Sequence, residues 1–316
     1  MHKILITYVY FENKRSLKNL KFFISNGVFC NKVAHYNFII KGEKCSAKIP
    51  SYDNITVYKV NNEGYDFAGY SYSINTINKD IFDYFIFLND SVIGPFIPRY
   101  ISKEEWYIHF VNLISDKTKL VGATINKKSY NGIPKHVQSM AFATDNIGLQ
   151  LLIDNNIFNL ERNIQVFNKL GKDSFIIEFE VGMSGIIMDN GYKIESFMQT
   201  ENNNFEIGHG DIHYNNKYFG STLNPIEIMF LKNNRISSKI LKNYITWNQN
   251  APSSPVCRHH GHASSCREGR RRPCFSCGDD NAKKAVHLCW CRRNLAQHCS
   301  SCMQSRTDAA YPCSTM

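Results

Sequence analysis

The chain has 316 residues, 43% of them hydrophobic and 20% charged, with a formal net charge of +10. That length can bury a large core and hold one big domain or two ordinary ones, which excludes a bare peptide-binding module. No eighteen consecutive apolar residues occur, so no membrane span is expected.

Composition divides the chain near "NQNAPSSPVC". Residues 1–250 are crowded with Asn, Ile, Lys, Tyr and Phe and contain only Cys30 and Cys45, whereas residues 251–316 hold nine of the 11 cysteines. After residue 250, eight Arg and two Lys face four carboxylates, so this tail supplies +6 of the +10 and the body is not notably basic. Two regions are expected, 1–250 and 251–316.

The opening "MHKILITYVYFENK" has a short apolar, β-branched and aromatic run closed by charge. It suits a first core strand better than a signal peptide, and a cytoplasmic protein is the expectation. "KRSLKNLKFFISNG" reads as a helix with Leu17, Leu20, Phe23 and Ile24 on its apolar face, stopped by Gly27. "VAHYNFIIKG" and "NITVYKVNN" read as strands, "GYSYSINTIN" as a short helix and "DYFIFLND" as a fourth strand. Alternating strand and helix predicts an α/β fold, a mainly parallel sheet with helices on its faces.

Ligands of such sheets bind outside the carboxyl ends of the strands. Tyr8 to Glu12, Asn61 to Asp66 and Asn89 to Ser91 all follow predicted strands and are expected on one rim. There is no G-x-G-x-x-G after the first strand and no G-x-x-x-x-G-K-[ST] anywhere, which disfavours a dinucleotide site and a P-loop. Two separated carboxylates suit a nucleotide whose phosphates are held through a metal. Mg2+ and Mn2+ prefer oxygen ligands and commonly take one or two carboxylates plus phosphate oxygens. Asp90 is the natural ligand, assisted by Asn89 or Ser91, and Asp66 can accept hydrogen bonds from base or ribose. "NDS" before Gly-Pro is equally good turn chemistry. Tyr65, Phe67, Tyr70 and Tyr72 lie close by in sequence, either to stack on a ligand ring or to fill the core.

Four blocks in order, "NNEGYDFAGY", "FIFLNDSVIGPF", "KHVQSMAFAT" and "FEVGMSGIIMDNGYKI", resemble the rhamnan-synthesis F type of bacterial glycosyltransferases, of the GT-A superfamily. The resemblance covers roughly residues 3–235. It implies a GT-A-like, Rossmann-like mixed sheet and transfer of a sugar from a nucleotide-diphosphate donor to a growing surface polysaccharide or lipid-linked glycan. Rhamnose is suggested only by the family's name. Tyr8, Asn62, Gly64, Asp66, Asn89, Asp90 and Ser91 are then the candidate donor-binding residues. Where GT-A enzymes carry Asp-x-Asp, this chain has "LNDS", with Asp90 as its only carboxylate. Three readings are open: a weaker metal site, a ligand from elsewhere, or stabilisation of the leaving group by basic side chains. His209, Asp211 and His213 in "GHGDIHY" are candidates for the missing ligand, with His213 paired to Asp90, or they form a polar surface loop.

"EFEVGMSGIIMDNGYKIESF" reads as a strand, a helix beginning near Val181, a stop at Gly191 and a strand. By the resemblance, Glu180 takes the place of the family's acidic acceptor-site motif and serves as catalytic base. An ordinary glutamate is ionised at neutral pH and able to accept a proton. The alternative is a helix cap favoured by the dipole. His136, Gln138 and Ser139 open an apolar strand, placed either to hydrogen-bond acceptor hydroxyls or simply as strand-entry residues.

Residues 226–247 carry Lys232, Arg235, Lys239 and Lys242 among apolar positions. They read as one basic amphipathic helix, resting on the inner membrane face where lipid-linked acceptors are presented, or as a closing helix packed on the body. In the tail, the pairs Cys274/Cys277 and Cys299/Cys302 enclose 21 residues, one beyond the usual interval for a four-cysteine zinc site. The Arg, Ser and Ala around them show no period. The tail reads first as an unselected disordered extension, then as a zinc ribbon, then as an arm attracting nucleic-acid phosphate without specificity. Two other functional classes therefore stand beside the glycosyltransferase: a sugar- or nucleotide-binding protein without turnover, and a zinc or nucleic-acid module in the tail.

Overall fold

A computed structural model describes residues 2–98, 100–126, 132–198, 211–218 and 220–250. Contacts divide the chain into two units, Met1–Arg258 and His259–Met316, and every described residue belongs to the first. The tail cysteines and His209 lie outside the described residues.

The first half alternates as its periodicity predicts. β1 (Ile4–Tyr10) leads to α1 (Lys14–Gly27), β2 (Ala34–Lys41) and β3 (Ile55–Val60), then α2 (Tyr65–Asn75) and β4 (Tyr84–Asn89). All seven residues of β1 are buried, as expected of a parallel strand covered on both faces. Asn13 caps α1 in a capping box, its side chain accepting from the backbone of Arg15 and Ser16 while Ser16 Oγ accepts from Asn13 N–H. α2 begins four residues before the predicted helix, which brings Asp66 into its first turn.

The second half is more irregular. A two-residue strand β5 (Val92–Ile93) follows β4, then α3 (Ile108–Val111), β6 (Thr118–Gly122), β7 (Ile125–Asn126), β8 (His136–Val137) and β9 (Ala141–Asp145). Helices α4 (Asn146–Asp154), α5 (Leu160–Lys169) and α6 (Lys172–Phe175) come next. A π-helical stretch, Ile176–Val181, joins α6 to α7 (Gly182–Asp189), and β10 (Lys193–Ser196) closes this half. The expected strand at "EFEV" is therefore helical. Its alternation imitates a strand, but Phe175 and Phe179, one helical turn apart, both pack on Phe67 of α2.

The sheet has seven strands in the order β10-β6-β9-β4-β1-β2-β3. β9 alone runs antiparallel to its neighbours, so the sheet is mixed and mainly parallel. Alternate side chains of β1 enter opposite cores. Ile4, Ile6 and Tyr8 pack with Phe23 and Trp106 on one face, and Leu5 and Val9 pack with Phe67, Phe87 and Phe142 on the other.

The end of the body differs from the expected single helix over 226–247. Short α8 (Pro225–Ile228), strand β11 (Leu231–Lys232) and α9 (Ser238–Asn250) replace it. β11 pairs antiparallel with β5, and Leu231, Ile236 and Leu241 join Ile93 and Phe96 in a third apolar cluster. Lys239 and Lys242 are thus on α9 while Lys232 and Arg235 are not, and α9 packs on the body through Leu241. No described helix is long and apolar enough to cross a membrane.

Candidate functional site

Parallel strands β1, β2, β3 and β4 end at one edge of the sheet, and the start of antiparallel β9 joins them there. At this edge Asn89 Nδ2 donates to Asp66 Oδ2 at 2.6 Å. The amide is oriented by its other end, since Asn89 Oδ1 accepts from both the backbone and the hydroxyl of Ser91. Asx-turn chemistry and carboxylate positioning are therefore one device. Asp90 Oδ2 accepts from Phe11 N–H at 2.6 Å, which ties the end of β4 to the end of β1. Both aspartates are half-buried and neither is sealed from solvent.

Glu180 comes from the π-helical stretch. Its Oε2 accepts from Ser139 N–H at 2.7 Å and from the Ser139 hydroxyl, and its Oε1 lies 3.7 Å from His136 Nε2. It is not a helix cap, because it sits within a continuous helical run whose α7 start has no side-chain cap. A π turn adds one residue to the helix and so rotates the next side chains around its axis, a feature common at functional sites. Here it leaves Phe175 and Phe179 facing α2 while Glu180 faces Ser139.

Tyr70 is buried behind this edge and feels all three acids. Its hydroxyl donates to the Ser139 carbonyl at 3.0 Å. Burial, and then the charges of Asp66, Asp90 and Glu180, hold that phenol well above its ordinary range. Among the described residues, one oxygen of each acid, Asp66 Oδ1, Asp90 Oδ1 and Glu180 Oε1, accepts no hydrogen bond. The carboxylates also act on one another. Burial, and then Asp66, push Asp90 up to about 7, against the Phe11 N–H, Arg15 and Lys41. Burial raises Asp66 as well, with Lys41 pulling it back and Glu180 adding to the rise.

Lys41 is the buried cation beneath this cluster. Its ammonium donates to the carbonyls of Glu63, at 2.6 Å, and Tyr65, which fixes the approach to α2. Burial lowers it to about 8, while Asp66, Asp90 and Glu63 oppose the fall. A cavity of about 320 Å³ opens beside it, lined by Asn61, Glu63, Tyr72 and Ile164 among others. Larger grooves of about 560 and 500 Å³ lie along α4 and α5, away from the carboxylates. Lys41 escapes sequence reasoning, although a lysine closing a run of buried strand residues is a legible oddity.

Several expected contacts take other roles. Tyr8 is 2% exposed, stacked on Phe23 under α1, so it belongs to the core and cannot reach a donor. Gly64 supplies a left-handed turn before α2, and its missing side chain is where Ala68 and the backbone of Asn163 pack. Asn62 is exposed on the same loop. His136, Gln138 and Ser139 are buried supports of acids rather than free acceptor contacts. His136 Nδ1 donates to the Pro134 carbonyl and Ser139 holds Glu180. Gln138 accepts from Thr124 and donates to Asp211. Of the nearby aromatics, Phe67 and Tyr70 are core, while Phe11 and Tyr65 are exposed.

His213 does not join Asp90 around a metal. It is fully buried, its Nδ1 accepts from Lys232 N–H and its Nε2 pairs with Thr124 Oγ1, so both ring nitrogens are committed. Burial lowers it to about 3, against Asp211, which keeps the ring neutral. With Asn89 Oδ1 also committed, Asp90 lacks the partners expected of a cation site. No group of three or more His, Cys, Asp or Glu among the described residues is placed to hold a metal ion. A Mg2+ or Mn2+ ion at this edge would rest on one or two carboxylates completed by the donor's phosphate oxygens, not on a cage of side chains.

Together these features define an α/β protein with an acidic rim at the carboxyl edge of a mixed sheet. No protein-family model matches the sequence, and no curated protein matches it.

Proposed function

We propose that the chain is a GT-A-like glycosyltransferase that moves a sugar from a nucleotide-diphosphate donor to a surface polysaccharide or lipid-linked glycan. The observation that carries this reading is the delivery of Asp66, Asp90 and Glu180 to one sheet edge, where Asn89 holds Asp66, Phe11 N–H holds Asp90, and Ser139, next to the Met140 carbonyl that accepts from Asn89, holds Glu180. The four sequence blocks that resemble the rhamnan-synthesis F type contribute those three acids and the Ser139 that holds one of them. The 320 Å³ cavity beside Lys41 has the size of a small-ligand pocket and room for a nucleoside.

In this reading Asp66 and Asp90 orient the donor, and Glu180 takes the proton of the acceptor hydroxyl. That oxygen attacks the anomeric carbon, the bond to the diphosphate oxygen breaks, and the diphosphate leaves with the bonding pair. Ser139 holds one oxygen of Glu180 so that the other is presented to the acceptor.

Release of nucleoside diphosphate from a panel of nucleotide sugars, with and without Mn2+, tests the reading. Wild type should turn over one donor, and Glu180→Gln and Asp66→Asn should not. Equal turnover in wild type and both variants rejects the assignment. The reduced "LNDS" motif favours a second reading, a sugar- or nucleotide-binding protein without turnover. A nucleotide sugar that raises the melting temperature yet is never cleaved, with any acceptor, selects it.

A further inference from the structure

The rim is acidic, and a diphosphate brings further negative charge that must be met by cations. We propose that Lys232 and Arg235 form a diphosphate clamp at this rim; whose diphosphate it takes rests on the functional reading above.

The placement comes from the β11–β5 ladder, in which Lys232 pairs with Val92, two residues beyond Asp90. Asn19 fastens the same junction by donating to the Asp90 carbonyl at 2.8 Å and accepting from Asn233 at 2.6 Å. Lys232 is close enough that its charge pulls down the Asp66 carboxyl.

Two cations share one carboxylate here. Lys232 Nζ donates to Asp211 Oδ2 at 3.0 Å, and Arg235 Nε stands 3.6 Å from the same oxygen. Burial tends to raise Asp211, but Lys232 and His213 with the hydrogen bonds it accepts hold it well below the usual carboxylate range. His213 is neutral, so among the described residues the Asp211 carboxylate faces two cations, Lys232 and Arg235. The Arg235 guanidinium lies 4.4 Å over the Tyr214 ring, and its buried Nε is turned toward Asp211. A guanidinium stacked on a ring and anchored through Nε keeps its planar fork oriented, which suits a phosphate. Both cationic side chains stay partly open to solvent, at 22% and 31% exposure.

Asp211 is aimed by a closed circuit. Lys232 N–H donates to His213, which pairs with Thr124; Thr124 donates to Gln138, and Gln138 donates to Asp211. The circuit fixes the carboxylate that aligns both cations.

Calorimetric titration of the full chain with inorganic pyrophosphate, in chelator, is the test. Wild type should bind, and Lys232→Gln and Arg235→Gln should each weaken binding at least tenfold, while Arg235→Lys loses less. Melting curves of each variant separate loss of the site from loss of the fold. Binding that appears only with added Mn2+, or is unchanged in both variants of normal melting, overturns the clamp. Nucleoside diphosphates and farnesyl diphosphate form the second arm, and the one that binds more tightly than pyrophosphate identifies a nucleotide or a lipid-linked source. Variants that lose pyrophosphate, when wild type cleaves no nucleotide sugar, keep the clamp and sink the transferase. Unaltered cleavage in both variants does the reverse.

Discussion

Asp90→Asn should stabilise the protein by an amount that grows as pH rises from about 4 and is complete above about 7. Asp90 stands at about 7 in the folded state against an ordinary 3.8, raised by burial and by Asp66. Between those values the folded chain binds a proton that the unfolded chain has lost. Stability therefore falls as pH rises through that window, and the full penalty is present above about pH 7. Three units correspond to roughly 4 kcal/mol, a ceiling for a half-exposed group whose field water screens, so the expected penalty is about 1–2 kcal/mol. Asparagine retains an oxygen for the Phe11 N–H and loses the charge. Thermal denaturation in chelator should show the variant melting about 2–8 °C higher than wild type at pH 8, with most of that gain gone at pH 4.5. A shift equal at both pH values, or a lower melting point at pH 8, refutes the reasoning.

Glu180→Gln keeps an oxygen for Ser139 and removes the base, so donor turnover should fall about 10²–10⁴-fold with little change in melting; undiminished turnover removes Glu180 from the chemistry. Gly64→Ala forces a side chain onto a left-handed residue (φ 66°) with its Cβ 2.5 Å from that of Ala68. It should cost about 2–4 kcal/mol and lower the melting temperature by roughly 5–10 °C, and a wild-type melting curve would contradict the packing of α5 on this turn. Lys41→Met removes a charge that holds Asp90 down, so Asp90 should titrate above 7 in carboxyl ¹³C NMR; an unmoved titration would place Lys41 outside its field.

Most of the sheet is legible in the sequence. β1, β2 and β4 are continuous apolar runs because helices cover both faces, and α1 declares itself by its apolar spacing and by ending at Gly27. The polar residues after those strands mark the rim, because strands of one direction must deliver their ends to one edge. The helix after Val181 is legible, but the helical run from Lys172 to Val181 that leads into it is not. "EFEV" alternates like a strand, and only the packing of Phe175 and Phe179 on Phe67 selects the helix. His136, Gln138 and Ser139 read as ligand contacts because polar residues at a strand start look free until their partners, Glu180, Asp211 and Pro134, are in place.

By itself the sequence determined the strand ends and two of the three acids at the rim, since periodicity and turn chemistry are set by residues a few positions apart. Tertiary structure alone decided that Glu180 faces Ser139 and that Lys232 and Arg235 leave the expected helix, Lys232 pairing with Val92 and both cations facing Asp211. Those placements rest on the β11–β5 ladder and on an Asn233–Asn19 bond spanning 214 positions. Burial of the third apolar cluster stabilises that closure, and no local pattern records it.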